Sequence, residues 1–369
     1  MENVAEMRHR IGNLLAQKRD YRQELRELCD QHAYVIFYGC GAVFPYIVET
    51  WNKYIDRKID FCCDSDPEKW GKVFCGLECI PSKELLLVQE RCVVFVSSGY
   101  FVPISNYLMS NEFLSVCRIH VYDIIATDFL LETDPEEILN KLSDVYNILA
   151  DQQSVRVFTS ILDRVLVDTK SGVMKDVCEG DQYFPQGVIE LSEHECLVDI
   201  GAYNGDTVRD FIKHTKGKFD SISCFELDKI NFKLLQEAVG RLPHGGRIQT
   251  FNYGMWDSER EVDYIVCKTS SMIGPGNGRG YVYPLDSTFM RNKRVTFIKV
   301  DVEGAELNVL HGACNIIQNQ KPKLAVCVYH NFQHLWEIPL YIKSLVPEYK
   351  IYLRHHTGLS YETVCYAVL

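Results

Sequence analysis

The chain has 369 residues, 47% hydrophobic and 24% charged, with a formal net charge of -11. Those values describe a globular protein with room for two cores. They exclude a general nucleic-acid binder, which needs a broad basic face, and no apolar run is long enough to span a bilayer.

The first thirty residues carry apolar side chains at Val4, Met7, Ile11, Leu14, Tyr21, Leu25 and Leu28, in steps of three and four, with Lys18 interrupting the seam. The spacing predicts an N-terminal helix over 1–30. A two-chain coiled coil, and hence a homodimer through this helix, fits the seam; so does an amphipathic helix lying on its own domain. The segment lacks the apolar core of a signal peptide. The 15 cysteines are odd in number, form no C-x-x-C pair and sit largely in apolar strand-like runs. Buried reduced thiols and a cytoplasmic location are the expectation.

From Ala33 the pattern alternates strands with helices. "AYVIFYGCGAVFPYIVETW" reads as strand, glycine turn and helix. "KIDFCCDSD", "RCVVFVSS" and "CRIHVYD" read as three further strands, the last ending at Asp123. A small Rossmann-like parallel α/β domain is expected over 31–125. Its turn has Gly39 and Gly41, but Phe44 stands where a third fingerprint glycine belongs, which makes a dinucleotide the weakest ligand for it. Asp64 ends the next strand. Residues 126–182 read as a helical linker, with a helix start at Asp134-Pro135.

A second α/β series occupies 183–369. Its strands are "CLVDI", "SISCFEL", "RIQTFNYG", "EVDYIVC", "VTFIKVD", "KLAVCVYH", "KIYLRHH" and "TVCYAVL", the last two forming a closing antiparallel hairpin around "TGLSYE". The Gly- and Ser-rich "KTSSMIGPGNGRGYVYP" reads as a mobile loop near the site or as plain disorder.

In such sheets ligands bind beyond the carboxyl ends of the strands. Those ends carry Asp199, Gly201, Gly205 and Asp206, then Glu226, then Asp301 and Glu303, then His330. The glycines suit close backbone approach by a ligand. Glu226 ends the strand after the glycine turn, where an acid accepts hydrogen bonds from two ribose hydroxyls. Asp199, Asp206, Glu226 and Asp301 crowd the place a pyrophosphate needs, and each close like-charge contact costs about 4 kcal/mol at an effective dielectric of about 20. The same acids attract a sulfonium with an α-amino group. The balance favours S-adenosylmethionine over NAD.

"LVDIGAYNGDT", "CFELDKINFKLL" and "FIKVDVEGAELNVLHGACNIIQNQKP" resemble the FkbM-type family of S-adenosylmethionine-dependent methyltransferases, over roughly residues 183–369. This chain has Leu227 where the family usually has proline and Tyr203 where asparagine is common. The resemblance implies a class I methyltransferase fold with a seven-stranded sheet and usually O-methylation, often of sugars or polyketide-type hydroxyls. In that frame Asp199, Gly201 and Gly205 shape the methionine pocket, Asp206 lies beside them or caps a helix, and Glu226 holds the ribose. The stretch Tyr253 to Asp257 reads the adenine. His330 is the expected general base, because it ends a strand on the ligand side and its type titrates near neutrality. Asp301 is the alternative, and His355 and His356 are weaker ones. Asp301, Glu303 and His330 also suit a hard cation such as Mg2+, although no spacing demands a metal. "DSDPEKWGKVFCGLECIPSKELL" resembles the small Rossmann-like domains in front of sugar-modifying enzymes, such as sialic-acid-type acetyltransferases. That resemblance implies a nucleotide-sugar or sugar-end site, beside a degenerate fold used for docking. The expected function is methylation of a sugar hydroxyl on a glycan or its precursor. A non-catalytic scaffold binding a nucleotide-sugar or glycan is the rival.

Overall fold

The computed structural model describes residues 4–41, 44–97, 101–113, 115–118, 121–166, 174–243, 245–267, 270–274, 276, 278–358 and 361–369. It divides into two compact units. One comprises Leu14–Ile138 and Asp163–Ser171, the other Met1–Asn13, Leu139–Leu162 and Gly172–Leu369.

The run expected as a single helix is two, α1 (Val4–Ala16) and α2 (Tyr21–Asp30). Asp20 starts the second: its carboxylate accepts hydrogen bonds from the backbone N–H groups of Arg22 and Gln23. Of the seam residues, Met7 and Ile11 are 1% and 0% exposed within the single chain, and Leu14 is half-buried. That burial fits an amphipathic helix.

The smaller unit contains a six-stranded sheet built from β1 (Tyr34–Tyr38), β2 (Phe61–Asp64), β3 (Val73–Phe74), β4 (Leu77–Pro81), β5 (Cys92–Val96) and β6 (Val116–Arg118), in the order β3-β4-β2-β1-β5-β6. All pairs are parallel except β3 with β4. β5 is buried at every position, which is why "CVVFV" is continuously apolar rather than alternating. Two expectations change. "GKVFCGLECIP" forms the short β3–β4 hairpin, which has too few residues to show a period. The strand expected to end at Asp123 stops at Arg118, and Asp123 belongs to a helix, Val121–Glu132. Residues 119 and 120 of that stretch lie outside the described residues.

The larger unit holds the strands β7 (Cys196–Ile200), β8 (Ser221–Phe225), β9 (Ile248–Phe251), β10 (Gly254–Met255), β11 (Arg260–Cys267), β12 (Ser270–Ile273), β13 (Gly278–Tyr283), β14 (Phe297–Val300), β15 (Lys323–Cys327), β16 (Lys350–His355) and β17 (Thr363–Val368). Seven of them make one sheet in the order β16-β17-β15-β14-β7-β8-β9. Only β17 runs antiparallel to its neighbours. The chain order reverses between β7 and β14, so the crevice at their carboxyl ends is the topological switch point. Residues 359 and 360 in the hairpin turn lie outside the described residues. One side of the sheet is packed by Phe184, Phe211, Phe219 and Phe297, among the core residues 8% exposed or less.

"EVDYIVC" does not join this sheet. It is β11 of a separate four-stranded sheet, ordered β10-β13-β11-β12. The stretch expected as a mobile loop supplies β12 and β13, while its residues 268, 269, 275 and 277 lie outside the described residues. Its glycines serve packing. A Cβ on Gly278 would stand 2.2 Å from the Tyr264 ring, and one on Gly276 would stand 2.3 Å from the Tyr264 carbonyl oxygen.

Candidate active site

The turn after β7 explains its own sequence. Gly201 has φ +76°, and a Cβ there would lie 1.8 Å from the Asp301 carbonyl oxygen. Close approach is therefore needed first by the neighbouring strand end, not by a ligand. Gly205, at φ +75°, is the N-cap of helix Asp206–His214. Between them the Gly201 and Ala202 N–H groups donate to the Phe225 carbonyl, at 3.0 and 3.1 Å. This ties the turn to the end of β8.

Glu226 follows β8 and is 5% exposed. Its Oε2 accepts the Tyr203 N–H at 2.8 Å and its Oε1 accepts the Asp228 N–H at 2.8 Å. Each oxygen keeps a further lone pair. Burial pushes the carboxyl up to about 7, against the pull of those two amides. Glu226 lines a cavity of ≈ 310 Å³ at the switch point, together with Gly201, Asp206, Met255 and Asp301. Asp206 is exposed at its rim, and its Oδ1 accepts the Thr207 N–H at 2.8 Å.

Two expected cofactor residues stand elsewhere. Asp199 does not line the cavity: it is 0% exposed inside β7. Lys299 of β14 is its register partner, with Nζ 3.2 Å from Asp199 Oδ1. The same ammonium donates to the Gly201 carbonyl at 2.7 Å. Burial alone lowers the pKa of Lys299, but Asp199 outweighs it and holds the group raised and charged. Asp199 is thus a neutralised structural acid. Asp257 is exposed and also off the cavity, with its carboxylate accepting from Asn308 and Ser258, each at 2.7 Å. Gly254 and Met255, a turn earlier, line the cavity instead.

His330 is corrected as a base. Its side chain is 8% exposed and absent from the cavity wall. Nδ1 lies 2.8 Å from Glu306 Oε1, and Nε2 lies 3.3 Å from Glu303 Oε2 and 3.6 Å from Asp301 Oδ1. Burial lowers its pKa, but Glu306 and then the other two acids carry it up to about 10. An imidazole already holding its proton at neutral pH cannot take one from a substrate. Glu306 supports the turn before its helix, accepting the Val302 and Gly304 N–H groups at 3.0 and 3.3 Å. His355 and His356 are both off the cavity. His355 Nδ1 lies 2.8 Å from Thr363 Oγ1, and His356 Nε2 lies 2.8 Å from the Tyr366 hydroxyl oxygen.

Cavity residues that escaped the reading of strand ends include Tyr183, Lys299, Tyr329 and Glu362. Tyr183 donates its hydroxyl to Asp301 Oδ2 at 2.7 Å. Glu362 accepts from the Gln182 side-chain amide, and burial, reinforced by Asp301, pushes it up to about 7. Lys299 had a signal, since a lysine inside an all-buried strand needs a buried partner. Tyr183 and Glu362 had none, because they enter from the segment before β7 and from the closing hairpin. The wall carries five carboxylates, of Asp206, Glu226, Asp301, Glu303 and Glu362, against the ammonium of Lys299.

In the smaller unit, Asp64 is taken up by the protein. Its Oδ2 accepts the Cys40 N–H at 2.9 Å and the Lys69 ammonium at 2.7 Å, and its Oδ1 accepts the Asp66 N–H at 3.0 Å.

The seven-stranded order with one antiparallel strand, and a cavity at its switch point, define a class I methyltransferase fold. Residues 199–356 match the model of the methyltransferase FkbM domain. Over its whole length the chain is similar to a methyltransferase FkbM from Methylobacillus flagellatus KT, at 22% identity, with 99% of each chain covered and a TM-score of 0.72. At that identity the likeness shows a shared fold. Slighter likenesses include M. capricolum TrmK in complex with S-adenosylhomocysteine, at 11% identity over 48% of this chain and 62% of that one, with a TM-score of 0.30. Streptococcus pneumoniae Sp1610, described as a putative tRNA (m1A22) methyltransferase, is similar at 11% identity over 48% of this chain and 64% of that one, with a TM-score of 0.31. Neither is close enough to carry an argument. No curated protein matches. Among the described residues no helix is long and apolar enough to cross a membrane, and the described cysteines form no disulfide.

Proposed function

We propose that this protein transfers a methyl group from S-adenosylmethionine to a hydroxyl of a sugar, on a glycan or a glycan precursor. The observation that carries the cofactor is Glu226. Two backbone amides fix its carboxylate at the end of β8, and each oxygen retains an acceptor site for one ribose hydroxyl. The acid-rich wall supports the choice of a sulfonium and an α-ammonium over a pyrophosphate. Methyl transfer is an in-line displacement, so alignment of nucleophile and methyl supplies most of the acceleration. The acceptor hydroxyl also loses a proton. Glu362 takes it in this reading: it lines the cavity, and with a pKa of about 7 it is poised between accepting and releasing a proton at neutral pH. The sugar is supported by family resemblance and by the polar cavity wall.

Calorimetry with S-adenosylmethionine is the test. Micromolar binding to the intact protein, abolished in Glu226→Ala, is expected; no binding to the intact protein sinks the reading and leaves a non-catalytic scaffold. A panel of sugar acceptors then assigns the substrate, with release of S-adenosylhomocysteine as the readout. Glu362→Gln is expected to lower kcat by roughly 10²–10⁴-fold and to remove the rise of kcat through pH 7.

A further inference from the structure

His330 is built like a held ligand. Its ring is oriented from one side only: Nδ1 meets Glu306 Oε1 at 2.8 Å, and Glu306 is 0% exposed and fixed by the Val302 and Gly304 amides. The opposite atom, Nε2, is buried and makes no hydrogen bond of good geometry. It faces Glu303 Oε2 at 3.3 Å and Asp301 Oδ1 at 3.6 Å. Those two acids line the cavity. Asp301 is oriented in turn, because its other oxygen accepts the Tyr183 hydroxyl at 2.7 Å.

We propose that His330 Nε2, Asp301 and Glu303 bind one divalent transition-metal ion of the Mn2+ type at the wall of the cavity. Metal-bound histidines almost always donate their second N–H to a carboxylate, and Glu306 occupies that position. Asp301, Glu306 and His330 also stand close enough to share an ion. Glu306 accepts two backbone amides and faces the other ring nitrogen, Nδ1, which makes it the positioning residue; Glu303, whose Oε2 lies 3.3 Å from Nε2, is the second carboxylate ligand. Adjacent ligands bonded at ~2.1 Å lie roughly 3.0–3.4 Å apart, and the two separations from His330 Nε2, 3.3 Å to Glu303 and 3.6 Å to Asp301, are near that range. One nitrogen with two carboxylate oxygens suits Mn2+, Fe2+ or Zn2+ better than Mg2+, which prefers oxygen and retains its waters. The ion replaces the proton between the imidazole and the two acids, and that proton leaves to solvent on binding. Resting on the methyltransferase reading, the ion's task is to draw the acceptor hydroxyl to the cavity wall and ease its deprotonation.

The test is a Mn2+ titration of chelator-treated full-length protein, with no S-adenosylmethionine present, followed by loss of the free-ion electron paramagnetic resonance signal. One bound ion per chain is expected. His330→Gln and Asp301→Asn should each weaken binding by more than 100-fold. Glu306→Gln should weaken it by roughly 10–100-fold, as an outer partner does. Circular dichroism confirms that each variant is folded, and the wild-type titration decides alone if one is not. A Mn2+ signal that stays free at millimolar concentration overturns the proposal, as does binding that survives His330→Gln undiminished. In either case His330 is an imidazolium that bridges the acids. Mn2+ binding without S-adenosylmethionine binding would instead sink the methyltransferase reading and leave the metal site standing.

Discussion

Gly201 and Glu226 show how much single residues decide here. A side chain at Gly201 meets both an unfavourable left-handed backbone, worth roughly 1–2 kcal/mol, and the Asp301 carbonyl 1.8 Å away. Gly201→Ala should therefore lower Tm by roughly 4 °C or more in a thermal melt and open the cavity wall. Glu226 makes stability depend on pH. Its folded pKa, about 7, lies above the ordinary 4.5. The stability it contributes is fully present below about pH 4.5 and is lost as pH rises through 7, up to about 3 kcal/mol. Glu362 acts with the same sign. Melts between pH 4.5 and 8 should show this slope reduced in Glu226→Gln. Cofactor affinity should run the other way and tighten through pH 7, because the ionised carboxylate accepts both ribose hydroxyls. An affinity independent of pH would remove Glu226 from the ribose. Of these residues, Gly201, Gly205 and Glu226 were legible in sequence, because strand, turn and next strand end recur at short spacing. Asp199 was legible as an acid, but not as a neutralised one. Its partner lies one hundred residues on, across a strand pairing that local pattern does not encode.

Between elements, β7 and β14 are joined by that pair as well as by their ladder. Lys299 and Asp199 are register partners, 3% and 0% exposed in their side chains. Lys299→Met strands a buried carboxylate and should cost roughly 3–5 kcal/mol, whereas Lys299→Met with Asp199→Leu should be much milder. Denaturant melts of the two variants check this; equal losses would mean that packing, not charge, governs the site. The accessory sheet of β10 to β13 carries a similar lesson. Its Gly-rich run looked structureless because strands of four and six residues show no usable period. Once β11 is in place, the Tyr264 ring and backbone account for Gly276 and Gly278.

For the whole molecule, the N-terminal heptad seam is the clearest case where context decided. Ile11 is fully buried within one chain, so Ile11→Glu should destabilise the fold by about 3 kcal/mol or more. Light scattering should give the same mass for variant and wild type. Dissociation to half the mass would restore the coiled-coil dimer. By itself the sequence determined the α/β class, the large sheet with its closing hairpin, the glycine turn and the acid that follows β8. Strands buried on both faces are continuously apolar, and turns need particular residues, so both leave local marks. Only the tertiary structure decided which charges survive at the cavity. It neutralised Asp199 with Lys299, withdrew His330 from the wall, removed Asp257, and brought Tyr183 and Glu362 in from distant segments. Electrostatic roles depend on distances between residues far apart in the chain, and no local period records them.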